Sequence, residues 1–175
     1  MDIKSCIRTI VDYPEPGVRF RDITPLLKNP SAFRLCVDRL YQRFQNTELD
    51  VIATLDARGF LFGSALAYLL GVPLIPIRKQ GKLPGETVSL EYELEYGTSC
   101  IEVHADSIQQ DERIILIDDL IATGGTAQAA IELLNRIGGR IVECAVVVEL
   151  VELGGRSKIS PVTLHSLVTF TEDEI

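Results

Sequence analysis

An apolar segment at 113–117 runs directly into two adjacent carboxylates, and this junction constrains the fold more than any other part of the sequence. Asp118 and Asp119 follow the segment, a turn rich in threonine and glycine comes next, and a helical pattern begins near Thr126. Open α/β sheets bind ligands beyond the carboxyl ends of their strands, and the first N–H groups of a helix bind anions. The junction therefore predicts carboxylates and a phosphate-binding loop side by side, as a phosphorylated sugar requires.

Alternating strand and helix patterns surround this junction. Short, continuous apolar runs are typical of strands covered on both faces, and apolar residues at helical spacing predict helices at 62–70 and in the segment that ends at Gly138. Such alternation favours an α/β fold with a mainly parallel twisted sheet flanked by helices. The predicted strands are 51–55, 74–77, 113–117 and 141–148.

The first part of the chain precedes this alternation. Apolar spacing over 3–10 predicts a short amphipathic helix, which ends before the proline- and glycine-rich stretch at 13–17. A longer helix is predicted next, with Asn29 as its cap and Pro30 in its first turn. Apolar residues at helical spacing over 33–44 give this helix one buried face.

The segment 78–96 interrupts the alternation. Three of its first five residues, Arg78, Lys79 and Lys82, are cationic. Loops of this length in compact domains are lids, binding loops or disordered segments, so we predict a long flexible lid loop. A mobile, solvated hairpin is the alternative, because apolar residues alternate over 92–96.

Composition narrows the class of protein. The chain has 175 residues and a formal net charge of −8, which predicts one domain and argues against a global basic surface for nucleic acid. Four widely spaced cysteines form no C-x-x-C pair and predict reduced thiols rather than a disulfide framework or a structural zinc site. With no apparent signal peptide or membrane-length apolar run, we expect a cytoplasmic protein without nucleic-acid or membrane partners.

Five segments, in order along nearly the whole chain, resemble one known family. The segment 114–126 is similar to the PRPP-binding motif of the type I phosphoribosyltransferases. Segments 56–63 and 78–87 are similar to loops of the adenine phosphoribosyltransferases. Segments 12–25 and 94–97 point to adenine as the base. The chain is therefore identified as a member of the adenine phosphoribosyltransferase family.

The resemblance implies a fold and an activity. It implies a single phosphoribosyltransferase domain over 1–175, in which 1–30 contribute a base-binding hood and 78–96 form the lid loop. It also implies a purine-salvage transferase that converts adenine and PRPP into AMP and diphosphate with Mg²⁺. The family further implies a homodimer, with the Arg58 region near its interface.

The resemblance assigns the carboxylate pair and the turn after it to the ribose-phosphate half of PRPP. Asp118 and Asp119 match the residues that hold the ribose hydroxyls, directly or through Mg²⁺ and water; neither is a firm direct metal ligand. The implied loop around the 5′-phosphate comprises Ala122, Thr123, Gly124, Gly125 and Thr126.

The resemblance assigns cationic residues to the diphosphate half of PRPP. Arg58 matches a residue of the loop that binds diphosphate through charge-assisted hydrogen bonds. The resemblance also implies a catalytic role for Arg58, together with Glu95 and Tyr96. A cis peptide is implied as a possibility in the same loop, at 56–59. Arg78, Lys79 and Lys82 of the lid would supply further positive charge and help to exclude water.

The base pocket and the acid/base group complete the implied site. Phe20 would stack on the purine, the backbone of Arg19 would contact its edge, and Leu150 would lie on the opposite face. Glu95 matches the general acid/base, and Tyr96 would help to close the lid. The alternative acid/base pair is Glu102 with His104.

Two other functions remain open from the sequence. A 6-oxopurine phosphoribosyltransferase would need a cationic donor for the 6-oxo oxygen, and no lysine occupies the matched position. A non-catalytic regulatory protein that senses PRPP or a purine on the same fold is the alternative from another class.

Overall fold

The computed structural model describes residues 2–93 and 97–171. A seven-stranded sheet forms its centre, and a two-stranded sheet lies beside it. The strands are β1 (Arg8–Val11), β2 (Arg19–Asp22), β3 (Val51–Leu55), β4 (Leu74–Lys79), β5 (Thr87–Glu93), β6 (Thr98–His104), β7 (Arg113–Ile121), β8 (Arg140–Leu150) and β9 (Leu164–Phe170). The helices are α1 (Thr24–Lys28), α2 (Pro30–Phe44), α3 (Gly59–Leu70), α4 (Gly125–Arg136) and α5 (Gly155–Lys158).

The central sheet has the strand order β5-β6-β4-β3-β7-β8-β9. The five strands from β4 to β9 in this order are parallel, whereas β5 and β6 form an antiparallel hairpin at one edge. The predicted mainly parallel sheet flanked by helices is therefore confirmed. Among the described residues, no helix has the length and apolar character needed to cross a membrane.

Two apolar cores cover the two faces of the sheet. One joins β3, β7 and β8 to α4 and to the β5–β6 hairpin, and the other joins the same three strands to α1, α2 and α3. All five residues of β3 are buried, which explains why its sequence is apolar at every position except Thr54 instead of alternating.

Helix α2 begins as the sequence predicts. Asn29 Oδ1 accepts hydrogen bonds from the backbone N–H groups of Ser31, at 3.1 Å, and Ala32, at 3.2 Å. Pro30 is the first helical residue, a position where its missing N–H costs nothing. The cap fixes where α2 starts and therefore where its buried face meets the sheet.

The predicted helix over 3–10 is wrong beyond its first turn. A 3₁₀ turn covers Lys4–Cys6, and the chain then enters β1, which pairs antiparallel with β2. Ile10 lies opposite Phe20 in this pairing, so a strand partner outweighs the helical spacing of the isoleucines. This hairpin and α1 form the part of the chain predicted as the hood.

The strand before the carboxylates is longer than predicted. β7 continues to Ile121, four residues past the predicted end at 117. Its neighbour β8 extends alongside, with Asp118 opposite Val146 and Leu120 opposite Val148. Asp118 and Asp119 therefore lie within a paired strand and not at its solvated end.

The prediction of one long loop over 78–96 is wrong for the described residues 78–93, most of which lie in strands. β4 continues through Arg78 and Lys79, and β5 begins at Thr87, so the irregular stretch is 80–86. β5 pairs with β6 at seven positions, a partner that the sequence interpretation had not identified. A hairpin is therefore confirmed for 87–93, although Leu90 is buried in the core and the strand is not simply solvated. Residues 94–96 lie outside the described residues.

Close contact between α3 and β3 depends on Gly63. A Cβ atom built on Gly63 would lie 1.9 Å from Thr54 Cγ2. Thr54 is fully buried and its branched side chain has little rotational freedom. Glycine therefore allows α3 to approach the sheet and sets the position of its N-terminus.

Gly63→Ala is expected to lower the free energy of unfolding by about 1–3 kcal/mol, because overpacking outweighs the better helix propensity of alanine. Urea denaturation measures the change. Ser64→Ala, at an exposed position of the same helix, is the control and should be close to wild type. Equal or greater stability of Gly63→Ala would contradict the close contact.

Candidate active site

The carboxyl ends of β3 and β7 meet at one edge of the sheet. Thr54 pairs with Ile117 in this parallel pair, so Asp56 follows β3 close to Asp118 and Asp119 in β7. A turn then leads into α4. The structure thus brings together the two loops and the carboxylate pair that the sequence predicts.

A cavity of about 200 Å³ lies at the end of β7. Gly124, which precedes α4, has a φ angle of +81°, a conformation that favours glycine. A Cβ atom there would also lie 2.8 Å from the carbonyl oxygen of Gly155 in α5. The cavity is lined by Asp118, Leu120, Ile121, Ala122, Thr123, Gly124, Gly125, Thr126, Ala127 and Val146.

The first turn of α4 points toward this cavity with its backbone N–H groups uncapped by a side chain. Four N–H groups at the start of a helix lack intrahelical acceptors, and the helix dipole favours negative charge there. The cavity is therefore suited to a phosphate group, as the sequence predicts for 122–126.

The Asp118 carboxylate contacts the backbone of the next residue and the start of α3. Its Oδ1 atom accepts a hydrogen bond from the backbone N–H of Asp119 at 2.8 Å. A Cβ atom on Gly59 would lie 2.9 Å from this oxygen, so the N-terminus of α3 lies against the carboxylate. Burial and then the adjacent charge of Asp119 raise the pKa of Asp118 well above its ordinary value.

Asp119 forms an ion pair with Arg58 but keeps one unsatisfied oxygen. Its Oδ2 atom lies 2.9 Å from Arg58 Nε, yet it accepts no hydrogen bond from the described residues. Asp119 is only 4% exposed, and burial raises its pKa against the opposing charge of Arg58. A buried acceptor without a donor fits a substrate hydroxyl.

Phe20 of the hood lies beside the same arginine. The Arg58 guanidinium carbon is 5.5 Å from the centroid of the Phe20 ring, within reach of a cation–π contact. Tyr13 packs edge-on against Phe20 at 5.3 Å. The structure therefore places the aromatic ring predicted for the base next to Arg58, which is predicted for the diphosphate and is paired with Asp119.

The loop after β3 contains a cis peptide between Asp56 and Ala57, as the family resemblance implied. Arg78 supports this loop from β4, with its Nε atom 3.2 Å from Asp56 Oδ2. Arg78 also donates to the carbonyl oxygen of Lys82 at 3.2 Å. It therefore joins two loops, and the phosphate contact that the family resemblance implies for it stays a prediction.

Glu102 and His104 act as supports for the loop at 80–86. Glu102 Oε1 accepts hydrogen bonds from the N–H groups of Lys82, at 2.9 Å, and Leu83, at 2.8 Å. The Leu83 N–H is the main cause of the lowered pKa of Glu102. His104 Nε2 lies 2.9 Å from the carbonyl oxygen of Pro84. These contacts give the alternative acid/base pair a structural role that the sequence interpretation missed.

The remaining predicted site residues lie on several different strands and loops. Lys79 and Lys82 are exposed, and Arg19 is exposed at the start of β2. Leu150 ends β8 and pairs with Phe170. The two residues predicted for acid/base chemistry and lid closure, Glu95 and Tyr96, lie outside the described residues.

Tyr92 is a further residue at this site that the sequence interpretation did not assign. Its hydroxyl lies 3.1 Å from Thr126 Oγ1, although the two residues are far apart in sequence. Alternation along 92–96 was the available signal, and it indicated only that Tyr92 belongs to a strand.

Asp22 anchors the hood from the end of β2. Its Oδ2 atom accepts hydrogen bonds from Arg8 Nε at 3.1 Å and Arg8 Nη2 at 2.5 Å, and its Oδ1 atom accepts from the N–H of Thr24 at 2.9 Å. Hydrogen bonds from Thr24 and then Arg8 lower the pKa of Asp22 to about 2. The carboxylate therefore joins β1, β2 and α1.

Comparison with known proteins adds to this geometry. The model of the phosphoribosyl transferase domain family matches residues 22–173. The chain is 51% identical over 167 residues to the adenine phosphoribosyltransferase of Parvibaculum lavamentivorans, covering 95% of each chain. The crystal structure of the Thermoanaerobacter pseudethanolicus adenine phosphoribosyltransferase superposes with a TM-score of 0.93 at 46% identity, covering 96% of this chain and 98% of the other.

A third relative was solved with ligands. The Saccharomyces cerevisiae adenine phosphoribosyltransferase, in complex with an imino-altritol bisphosphate and adenine, has a TM-score of 0.89 and 38% identity, covering 95% of this chain and 96% of the other. The fold and site define a phosphoribosyltransferase. With relatives this similar over nearly their whole length, the chain belongs to the adenine phosphoribosyltransferase family. The fold and transferase class predicted from the sequence are therefore confirmed.

Asp22→Asn is expected to lower the urea midpoint at neutral pH, and the deficit should shrink as the pH falls. The folded pKa of Asp22, about 2, lies below its unfolded value of about 3.9. Its charge therefore stabilises the fold fully above about pH 4, and this contribution is lost toward pH 2.

The measurement is the difference in urea midpoint between variant and wild type from about pH 7 down to about pH 3. Asp106→Asn, at an exposed turn, is the control and should show little difference throughout. A deficit for Asp22→Asn that stays constant over this range would exclude the ionised carboxylate as its cause.

Proposed function

We propose that the protein transfers the 5-phosphoribosyl group of PRPP to adenine, which yields AMP and diphosphate in purine salvage. The observation that carries the proposal is that three features meet at the carboxyl ends of the central strands: a cavity beside the start of α4, the carboxylate pair Asp118 and Asp119, and an aromatic ring. Together with family membership, these features match the phosphate, ribose and base of one nucleotide.

The ribose 5-phosphate is assigned to β7 and the start of α4. Backbone N–H groups and the hydroxyls of Thr123 and Thr126 face the 5′-phosphate in the 122–126 loop. Asp119 Oδ2, buried without a hydrogen bond in the described structure, accepts from a ribose hydroxyl. Positive charge develops on the ribose in an oxocarbenium-like transition state, and Asp118 and Asp119 stabilise it.

The diphosphate is assigned to the cationic side of the site. Arg58 lies between Asp119 and Phe20, where its remaining donors reach the leaving group. Lys79 and Lys82 are exposed on the neighbouring strand and loop, and Arg78 fixes the path of that loop. Their charges compensate the diphosphate in a chain of formal net charge −8.

The base is assigned to the hood. Phe20 stacks on the purine, the backbone of Arg19 contacts its edge, and Leu150 packs on the opposite face. Glu95 acts as the general acid/base that takes the proton from the purine as its nitrogen bonds to ribose, and Tyr96 helps to close the lid. The support for the last two roles is the sequence match at 94–97.

Mg²⁺ is the proposed cofactor. In the described residues no group of three or more histidine, cysteine or acidic side chains is arranged to hold a metal ion. Asp118 and Asp119 nevertheless fit Mg²⁺, which proteins commonly bind through one or two carboxylates together with substrate phosphates and water. Bound in this way, Mg²⁺ would neutralise part of the charge on PRPP.

A homodimer is proposed from the outer face of α3. Leu61, Tyr68 and Leu69 are exposed there, with Tyr68 at 86%, and large apolar side chains grouped on one surface mark an interface. The face belongs to the helix that begins beside Arg58. Sedimentation equilibrium measures the mass in solution, and a monomer would contradict the proposal.

A cytoplasmic location is proposed from the thiols. All four cysteines, Cys6, Cys36, Cys100 and Cys144, are free, as in proteins of a reducing compartment. Fractionation of the native host measures the location, and recovery in a secreted fraction would contradict it.

The function is tested by incubating the protein with PRPP and, in turn, adenine, hypoxanthine, guanine and uracil, with Mg²⁺ or with a chelator. AMP formation from adenine that depends on Mg²⁺ is the expected result. Nucleotide from a 6-oxopurine but not from adenine would instead assign a 6-oxopurine phosphoribosyltransferase. Binding of PRPP without turnover of any base would indicate a sensor.

Asp119→Asn is expected to lower kcat/KM for PRPP by about tenfold to a hundredfold, the range for a lost charged hydrogen bond. The variant also leaves Arg58 without its ion-pair partner. Asp38→Asn, on the exposed face of α2, is the control. Normal use of PRPP by Asp119→Asn would rule out its role at the ribose.

Glu95→Gln is expected to lower kcat by about 10²–10⁴-fold while the affinity for PRPP stays close to wild type, because it removes proton transfer alone. Pre-steady-state turnover and calorimetric titration with PRPP separate the two effects. Glu91→Gln, exposed on β5, is the control. An unchanged kcat would move the acid/base role to another group.

A further inference from the structure

One hydrogen bond connects the edge hairpin to the phosphate loop. The hydroxyl of Tyr92, on β5, lies 3.1 Å from Thr126 Oγ1, in the first turn of α4. The strand and the loop are close here, since a Cβ atom on Gly125 would lie 3.4 Å from the carbonyl oxygen of Glu93. The end of β5 therefore contacts Gly125 and Thr126, two residues that line the cavity assigned to the 5′-phosphate.

The bond is not needed to hold β5 in place. The strand pairs with β6 at seven positions, Leu90 is buried in the core, and the ring of Tyr92 packs against the same core. Phenylalanine would keep all of these contacts. The hydroxyl therefore contributes something specific at the phosphate loop.

The chemistry of a phosphate sets the direction of this hydrogen bond. Each hydroxyl has one proton to donate, and in the free protein either oxygen can be the donor. A phosphate dianion accepts hydrogen bonds only, so Thr126 must donate its proton to a phosphate in the cavity. Thr126 Oγ1 is then free to accept, and Tyr92 becomes the donor.

We propose that Tyr92 is a positioning residue for 5′-phosphate recognition: its hydroxyl donates to Thr126 Oγ1 and holds the Thr126 proton toward the phosphate. This inference rests on the proposed function, which places the phosphate at 122–126. A chain of two hydroxyls ending on an anion is mutually polarised, and each bond strengthens the other. The edge hairpin thus contributes to phosphate affinity through Thr126.

Tyr92→Phe tests the proposal through two ligands that differ only in the phosphate. The Kd of AMP should rise about two- to tenfold, the range for one neutral hydrogen bond, while the Kd of adenosine stays unchanged. Isothermal titration calorimetry measures both. In steady state, KM for PRPP should rise by a similar factor, with KM for adenine and kcat close to wild type.

Tyr41→Phe is the matched control, because it makes the same chemical change on α2, where the Tyr41 hydroxyl makes no hydrogen bond with the described residues. Its AMP affinity should equal that of wild type. A purely structural role for Tyr92 predicts a lower melting temperature with unchanged affinity for AMP, and that result would overturn the proposal. Equal weakening of AMP and adenosine would also overturn it.

A double-mutant cycle with Thr126→Val tests whether Tyr92 acts through Thr126. Adding Tyr92→Phe to Thr126→Val should cause little further loss of AMP affinity, because the hydroxyl that Tyr92 positions is already gone. Independent, additive losses would refute a role that acts through Thr126.

The outcomes also separate this inference from the proposed function. A wild-type protein that binds no AMP and converts no adenine would refute both. If the wild-type protein converts adenine and the Tyr92→Phe variant binds AMP as tightly as wild type, only the role of Tyr92 is refuted.

Discussion

A pair of carboxylates inside a buried parallel strand is the constraint on which the rest of the site depends. Asp119 is almost fully enclosed, and its one cationic partner, Arg58, leaves an oxygen without a hydrogen bond in the described structure. Burying charge in this way costs stability, and a fold optimised for stability alone would place apolar residues there. A ligand hydroxyl that donates to this oxygen, as proposed above for the ribose, would complete the arrangement.

The segments that pack around the carboxylates have glycine at their closest contacts. α3 begins against Asp118, where a Cβ atom on residue 59 would not fit and glycine is therefore required. Gly63 allows the same helix to pack closely on β3. On the other side, Gly124 and Gly155 let the phosphate loop rest on α5. Small residues at these contacts therefore hold the two loops at fixed distances from the charges, which is the preorganisation that an active site requires.

Local signals in the sequence predicted the elements that local interactions form. The cap at Asn29, the buried run of β3 and the loop before α4 all follow from short-range patterns. The sequence interpretation failed where the deciding partner is remote: β1 is a strand because of β2, β7 continues because β8 does, and β5 depends on β6. The structural role of Glu102 was missed for the same reason, since its partners are backbone N–H groups of another segment.

The contacts around 80–86 have a consequence for the substitutions that this site can tolerate. Glu102 and His104 of β6 and Arg78 of β4 hold the loop by its backbone N–H and carbonyl groups. The path of the loop is therefore set by the strands that flank it and by Gly81 and Gly85, whose φ angles of +79° and +85° favour glycine. Exposed positions such as Gln80 and Lys82 can exchange charge or size without moving the backbone, so the electrostatics of the site can diverge while its shape is inherited.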